Sequence, residues 1–120
     1  MVTSRLFAEH NRESIKEIAA KGGLVIIPIG AIEQHGPHLP VWTDTLTCET
    51  ITRAASLLVD GSIPVLVTPT LPFGSSDHHL PFGGTMSLDT KVLLDVLMNL
   101  GKSLHKSGFR KIMFVNGHGG

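Results

Sequence analysis

With 120 residues, 42% of them hydrophobic and 17% charged, and with ten basic side chains balanced by ten acidic ones, the chain falls among folded globular domains. It falls outside disordered chains and nucleic-acid binders, which need low hydrophobicity or an excess of positive charge. The length suits one domain over residues 1–120 that buries a core, and the single cysteine, Cys48, leaves no internal disulfide and favours a reducing, cytoplasmic compartment.

The N-terminal stretch MVTSRLFAEHNRESIKEI has no apolar core of the kind a signal peptide needs, and no segment approaches the ~20 apolar residues of a membrane span. Neither export nor a membrane is expected. Asn11 is placed to cap a first helix whose Ile15, Ile18 and Ala19 share one face, with Gly22 and Gly23 to stop it. LVIIPIG from Leu24 is a short, nearly uninterrupted apolar run, which predicts a strand buried on both faces, as in a parallel sheet.

The loop GAIEQHGPHLPVWTDT, Gly30 to Thr45, follows directly and gathers Glu33, His35, His38 and Asp44 among prolines and glycines. From Thr45 to Val59 the apolar residues Leu46, Ile51, Ala54, Ala55 and Leu58 recur with helical period, and DGS breaks the chain before a second strand, IPVLVTP. The turn-rich segment TLPFGSSDHHLPFGGT comes next. A longer helix from near Ser87 carries Leu93, Val96, Leu97, Leu100 and Leu104 on one stripe and ends at Gly108, where glycine suits a left-handed cap. KIMFV is the third strand and NGHGG its exit loop.

Alternating helices and strands predict an α/β fold: a layered, mostly parallel sheet with helices on both faces and right-handed crossovers. In open sheets of this kind ligands bind beyond the carboxyl ends of the strands, so the three exit loops should share one rim. The chain has seven histidines and no tyrosine, and five of those histidines lie in these loops.

Glu33 and His35, two apart in an extended segment, point the same way. Asp44, just before a helix, is suited either to cap it or to bind a metal. His118 sits among glycines that let a ligand approach its backbone. Imidazoles mixed with carboxylates suit Zn²⁺, Mn²⁺ or Fe²⁺ rather than the all-oxygen sites of Ca²⁺ and Mg²⁺. Glu33, His35, Asp44 and His118 are therefore the candidate metal ligands and catalytic centre, while His38 reads as a ligand, a supporting partner or a loop brace.

Asp77, His78 and His79 read either as groups that orient a substrate or shuttle protons, or as a polar turn held down by Leu80 and Phe82. His10 and His105 read as ordinary surface residues, and Cys48 as a small core residue. No G-x-S-x-G elbow supports a serine nucleophile.

Three segments, PIGAIEQHGPHLPVWTDT, SSDHHLPFGGTMSL and FVNGHGG, closely resemble the successive signatures of the creatininase (creatinine amidohydrolase) family, in the same order. The resemblance implies a layered α/β hydrolase domain whose two-metal centre, zinc, manganese or in some relatives iron, cleaves cyclic or linear amide C–N bonds through a hydroxide held between the ions. It implies Glu33, His35, Asp44 and His118 as ligands, with Asp44 bridging.

Creatininase itself has a glutamate ligand two residues beyond its third-strand histidine. That position here is Gly120, and glycine-rich members of the family supply a glutamate from much later in longer chains. The 120 residues therefore resemble the N-terminal half of the family's domain. The implied substrate is a small amide, creatinine-like, or a formamide or peptide precursor, and the implied assembly is a homo-oligomer, often a hexamer. A non-catalytic metal-binding or assembly module is the rival expectation from outside the enzyme class.

Overall fold

The computed structural model describes residues 4–120; Met1–Thr3, part of the N-terminal stretch considered above for export and of the expected domain 1–120, lie outside them. After a 3-10 turn at Phe7–Glu9 come helix α1 (Arg12–Ala20), strand β1 (Leu24–Ile29), helix α2 (Thr43–Leu57) and strand β2 (Val65–Val67). A 3-10 helix at Asp77–Phe82, helix α3 (Thr90–Lys106) and strand β3 (Lys111–Asn116) complete the order. Among the described residues no helix is long and apolar enough to cross a membrane.

The termini of α1 are set by the residues expected to set them. The Asn11 side chain accepts from the Ser14 N–H at 2.9 Å, satisfying one of the helix's free donors. Gly22, at φ +76°, turns the chain out in the left-handed conformation that costs other residues a Cβ clash.

The three strands are parallel in the order β2-β1-β3. Central β1 is buried at every position but its first, as its continuous apolar run predicts. Pro28 interrupts that run, and β2 is short at this point. β2 ends at Val67 opposite Ile26, Pro28 has no N–H with which to extend the ladder, and contact resumes where Leu71 donates its N–H to Pro28 O at 2.9 Å and accepts at its own carbonyl from the Gly30 N–H at 2.8 Å.

Helices cover both faces of the sheet. On one, Ile15 and Ala19 of α1 meet Val25, Ile27, Leu66, Leu104 and Phe109; on the other, Ile26, Val65 and Val67 pack with Val59 and Val115 on the side of α2. Two helical faces differ from the sequence reading. α2 lies on the sheet through Thr45, Cys48, Thr52 and Ser56, while Leu46, Ile51 and Leu58 of its apolar stripe point to solvent.

Small side chains let this helix approach closely, and their polar atoms find acceptors locally. Thr45 Oγ1 donates to Ala31 O at 2.9 Å, Cys48 Sγ to Val115 O at 3.3 Å, and Ser56 Oγ to Arg53 O at 2.7 Å. α3 begins at Thr90 rather than near Ser87 and reaches the core only at its end, through Leu104; Leu93, Val96 and Leu97 are half-buried and Leu100 is exposed.

Connections leave β1 toward β2 and return past it to β3, so the direction of winding reverses between β1 and β3. A crevice opens beyond the carboxyl ends of the strands at such a switch point. The loop after β1 carries Glu33 and His35, the first turn of α2 carries Asp44, and the loop after β3 carries His118.

Candidate metal centre

Beyond β1 the chain passes Gly30 and Ala31 and turns inward at Glu33, which is buried and whose N–H donates to Val41 O at 3.0 Å. The Thr45 hydroxyl bond to Ala31 O ties the first turn of α2 to the exit of β1. That tie presents Asp44 to the crevice. No side chain caps α2, whose N-cap is Trp42, so of the two roles open to Asp44 the structure does not adopt capping.

The two oxygens of Asp44 face different imidazoles. Oδ1 lies 3.1 Å from His35 Nε2, and Oδ2 lies 2.9 Å from His118 Nδ1, which is also 3.2 Å from Glu33 Oε1. All four residues expected on one rim are brought together there.

Hydrogen bonds on the far side of each ring fix what its near nitrogen can do. His35 Nδ1 donates to its neighbour's carbonyl, Glu33 O, at 3.1 Å, and His118 Nε2 donates to Ser75 O at 3.0 Å, with Ser76 Oγ also at 3.0 Å. A carbonyl only accepts, so each far nitrogen carries the hydrogen and each near nitrogen of a neutral ring presents a lone pair. Lone pairs then face carboxylate oxygens. Such an arrangement is stable only with positive charge between them, either a proton or a cation.

Glu33 Oε2, fully buried, has no hydrogen-bond partner among the described residues, a costly state for a carboxylate oxygen. The donor set therefore fits a divalent ion of the zinc, manganese or iron type.

The proton alternative leaves its own mark on His118. Burial pushes its pKa down, but the Ser75 carbonyl, the hydrogen bond to Asp44 and the charges of Glu33 and Asp44 outweigh it, and the net shift is upward from 6.5. A raised imidazole pKa contributes stability that is full below about 6.5 and is lost as pH rises through the folded-state value. Protein stripped of metal should therefore melt at lower temperature as pH is raised from 6 toward 8. Loading with Zn²⁺ should release protons and tighten over the same interval, measurable by calorimetry in buffers of different ionisation heat.

The remaining candidates separate. His79 Nε2 is 3.6 Å from Glu33 Oε2, and His78, exposed, stacks on His79 with ring centres 4.1 Å apart. Glu33 with His35 and Asp44, and Glu33 with His78 and His79, are two sets of donors close enough to hold an ion. Asp77 is exposed and accepts from Ser87 Oγ at 2.6 Å, so it braces its own loop. His38 is exposed over Gly36. His10 bonds Ser14 and Ser4 O away from the crevice, and Cys48 is buried at 3% exposure.

Sequence reasoning passed over Gln34, Asn116, Ser75 and Ser76. Asn116 grips the His118 backbone from both sides, accepting from its N–H at 3.0 Å and donating to its carbonyl at 2.8 Å. The other three act through a backbone carbonyl or a non-ionisable group, which leaves no pattern of ligand residue types. Asn116 alone had a local signal, its place two residues before His118 in a glycine-rich turn.

The chain is 37% identical over 102 residues to the mycofactocin precursor peptide peptidase of Mycobacterium tuberculosis, a match covering 80% of this chain and 40% of that protein. It is 31% identical over 114 residues to the creatinine amidohydrolase of Pseudomonas putida, covering 89% and 42%. The chain thus spans about two-fifths of the length of these curated relatives. A solved manganese creatininase superposes with a TM-score of 0.87 at 27% identity, over 97% of this chain and 46% of that one. Residues 8–120 match the family model of creatininase, creatinine amidohydrolase, and the chain belongs to the creatininase family.

Proposed function

We propose that the protein to which these residues belong is a divalent-metal-dependent amidohydrolase that cleaves a C–N amide bond of a small substrate. One observation carries the reading: Asp44 holds its two oxygens against two imidazoles, at 3.1 and 2.9 Å, each locked from behind in the form that offers a lone pair. Glu33, His35, Asp44 and His118 would hold the metal, with Asp44 shared between two ions of zinc, manganese or iron. Bound ions of this kind acidify a water to a nucleophile near neutral pH and polarise the carbonyl it attacks. The chain's own part is to fix the ligand atoms before substrate arrives, through the Ser75 and Glu33 carbonyls and the Asn116 clamp, and to present His78 and His79 at the edge of the site where substrate enters.

Gly120 contributes no side chain, and a Cβ there would run into the His118 ring. In this reading residues 1–120 form one α/β unit, and a remaining ligand and much of the substrate pocket come from elsewhere in the intact protein. Homo-oligomeric assembly, of the hexameric kind the family resemblance implies, and a cytoplasmic setting belong to the same proposal. Greater identity to a peptide peptidase, at 37%, than to a creatinine amidohydrolase, at 31%, favours a peptide precursor over creatinine as the alternative substrate class.

The test strips the intact protein with chelator, reloads it separately with Zn²⁺, Mn²⁺ and Fe²⁺, and offers creatinine, a formamide and short peptides. Amide cleavage that disappears with the metal and returns with it is the expected result. Full metal occupancy without turnover on any of them would favour the binding or assembly module instead.

A further inference from the structure

Glu33, His78 and His79 are close enough to hold an ion, but the hydrogen bonds around His79 run opposite to those around His35 and His118. The Gly36 N–H donates to Gln34 Oε1 at 3.0 Å. An N–H can only donate, so this bond identifies the oxygen of the Gln34 amide and leaves its NH₂ to face the other way. That NH₂ donates to His79 Nδ1 at 2.6 Å. Nδ1 is therefore an acceptor, and in the neutral ring the hydrogen sits on Nε2, the nitrogen 3.6 Å from the partnerless Oε2 of Glu33.

We propose that Gln34 is a positioning residue that locks His79 as an Nε2–H donor, so that His79 is not a metal ligand but steers Glu33, turning Oε1 toward His118 and the metal. The inference rests on the metal-site reading above for what Glu33 does. The ring has little freedom to escape. Thr85 Oγ1 accepts from the Gln34 N–H at 3.1 Å and donates to His79 O at 3.4 Å, joining the two backbones, and His78 and Phe82 flank the imidazole. An oxygen lone pair and an N–H at 3.6 Å need only a small closure to bond, of the kind by which hydrogen bonds at a working site tighten.

The experiment uses the intact protein with ¹⁵N-labelled histidine. Long-range proton–nitrogen correlation spectra of the metal-free and Zn²⁺-loaded forms should show His79 with Nδ1 bare and Nε2 protonated in both. Q34E replaces the NH₂ with a second acceptor while keeping the Gly36 bond, and should interchange the two nitrogens. Mn²⁺ affinity, read by electron paramagnetic resonance, supplies the second measurement. The effect of Q34E should be about tenfold less favourable with His79 in place than in the H79Q background, because an amide at position 79 can turn a donor to Glu33 whatever faces it. A simple charge effect of the new carboxylate would appear equally in both backgrounds.

A bare Nε2 on His79 in the native protein, or equal Q34E effects in the two backgrounds, overturns the proposal. These readouts need no substrate. A protein that hydrolyses no amide would defeat the functional reading and leave this one decided by the spectra and the Mn²⁺ titration.

Discussion

Asp44→Asn is expected to empty the site and abolish hydrolysis together, with a loss well beyond the about 10- to 100-fold typical of residues that only support a metal ligand. The argument is geometric. Each Asp44 oxygen faces a different histidine, Oδ1 at 3.1 Å from His35 and Oδ2 at 2.9 Å from His118, so its carboxylate meets the metal-facing nitrogen of both rings, whereas Glu33 sets Oε1 against His118 and reaches His35 through its backbone carbonyl on the far side of the ring. An amide keeps the shape, removes the negative charge and turns an NH₂ toward one of the rings, where it blocks the lone pair that ring would offer a cation. Metal content by elemental analysis and turnover on any amide that the intact protein is found to cleave in the metal-reloading test should fall in parallel.

Asp89→Asn is the control. Asp89 stands at the N-cap of α3 with no side-chain cap bond, so losing its charge should leave metal content unchanged and stability within about 0.5 kcal/mol. If Asp44→Asn retained its metal and lost only rate, the residue would act on substrate and the bridging assignment would be wrong.

The sequence made the sheet and its rim legible because each rests on a local signal. β1 was readable from an apolar run, α1 from Asn11 and Gly22, and the site from the placement of unusual residues in strand exits. The buried face of α2 was not readable. Hydrophobic periodicity selects Leu46, Ile51 and Leu58, yet the helix packs through Thr45, Cys48, Thr52 and Ser56, because a helix that must bring Asp44 to the end of β1 gains more from close approach than from bulky side chains.

The apolar stripe left outside on α2, with Met113 and Phe114 exposed on β3, is not covered by any of the described residues. Periodicity detects an apolar face and not its partner. The same limit applies to α3, whose stripe is half-buried at Leu93, Val96 and Leu97 and exposed at Leu100. At the site, the ligand-type residues were legible by type, whereas the direction of each hydrogen bond, which separates His79 from His35, exists only in three dimensions.

Gly30→Ala should disrupt both the fold and the metal site, although its chemistry is a single methyl group. A Cβ at Gly30 would stand 2.5 Å from Thr45 Cα and 2.8 Å from Thr45 N, and since these atoms are helix backbone, no rotamer change can relieve the clash. α2 must move off the end of β1. The shift breaks the Thr45 bond to Ala31 O and displaces the neighbouring Asp44, so overpacking of about 1–3 kcal/mol comes with a ligand moved on a scale where ~1 Å can cost about 100-fold in function. Gly117→Ala meets the same helix from the other strand, against Cys48 and with Asp44 O at 3.2 Å, and should act in the same direction.

Gly101→Ala provides the contrast. A Cβ there meets nothing within 4 Å, and in the middle of α3 it should stabilise by about 0.5–1 kcal/mol through helix propensity alone. Urea midpoints should therefore fall for Gly30→Ala and Gly117→Ala and rise for Gly101→Ala, while Mn²⁺ affinity should fall for the first two and stay unchanged for the third. A Gly30→Ala protein as stable and as tightly loaded as Gly101→Ala would show that α2 does not rest on the β1 exit, and that something other than this close approach places Asp44 between the two histidines.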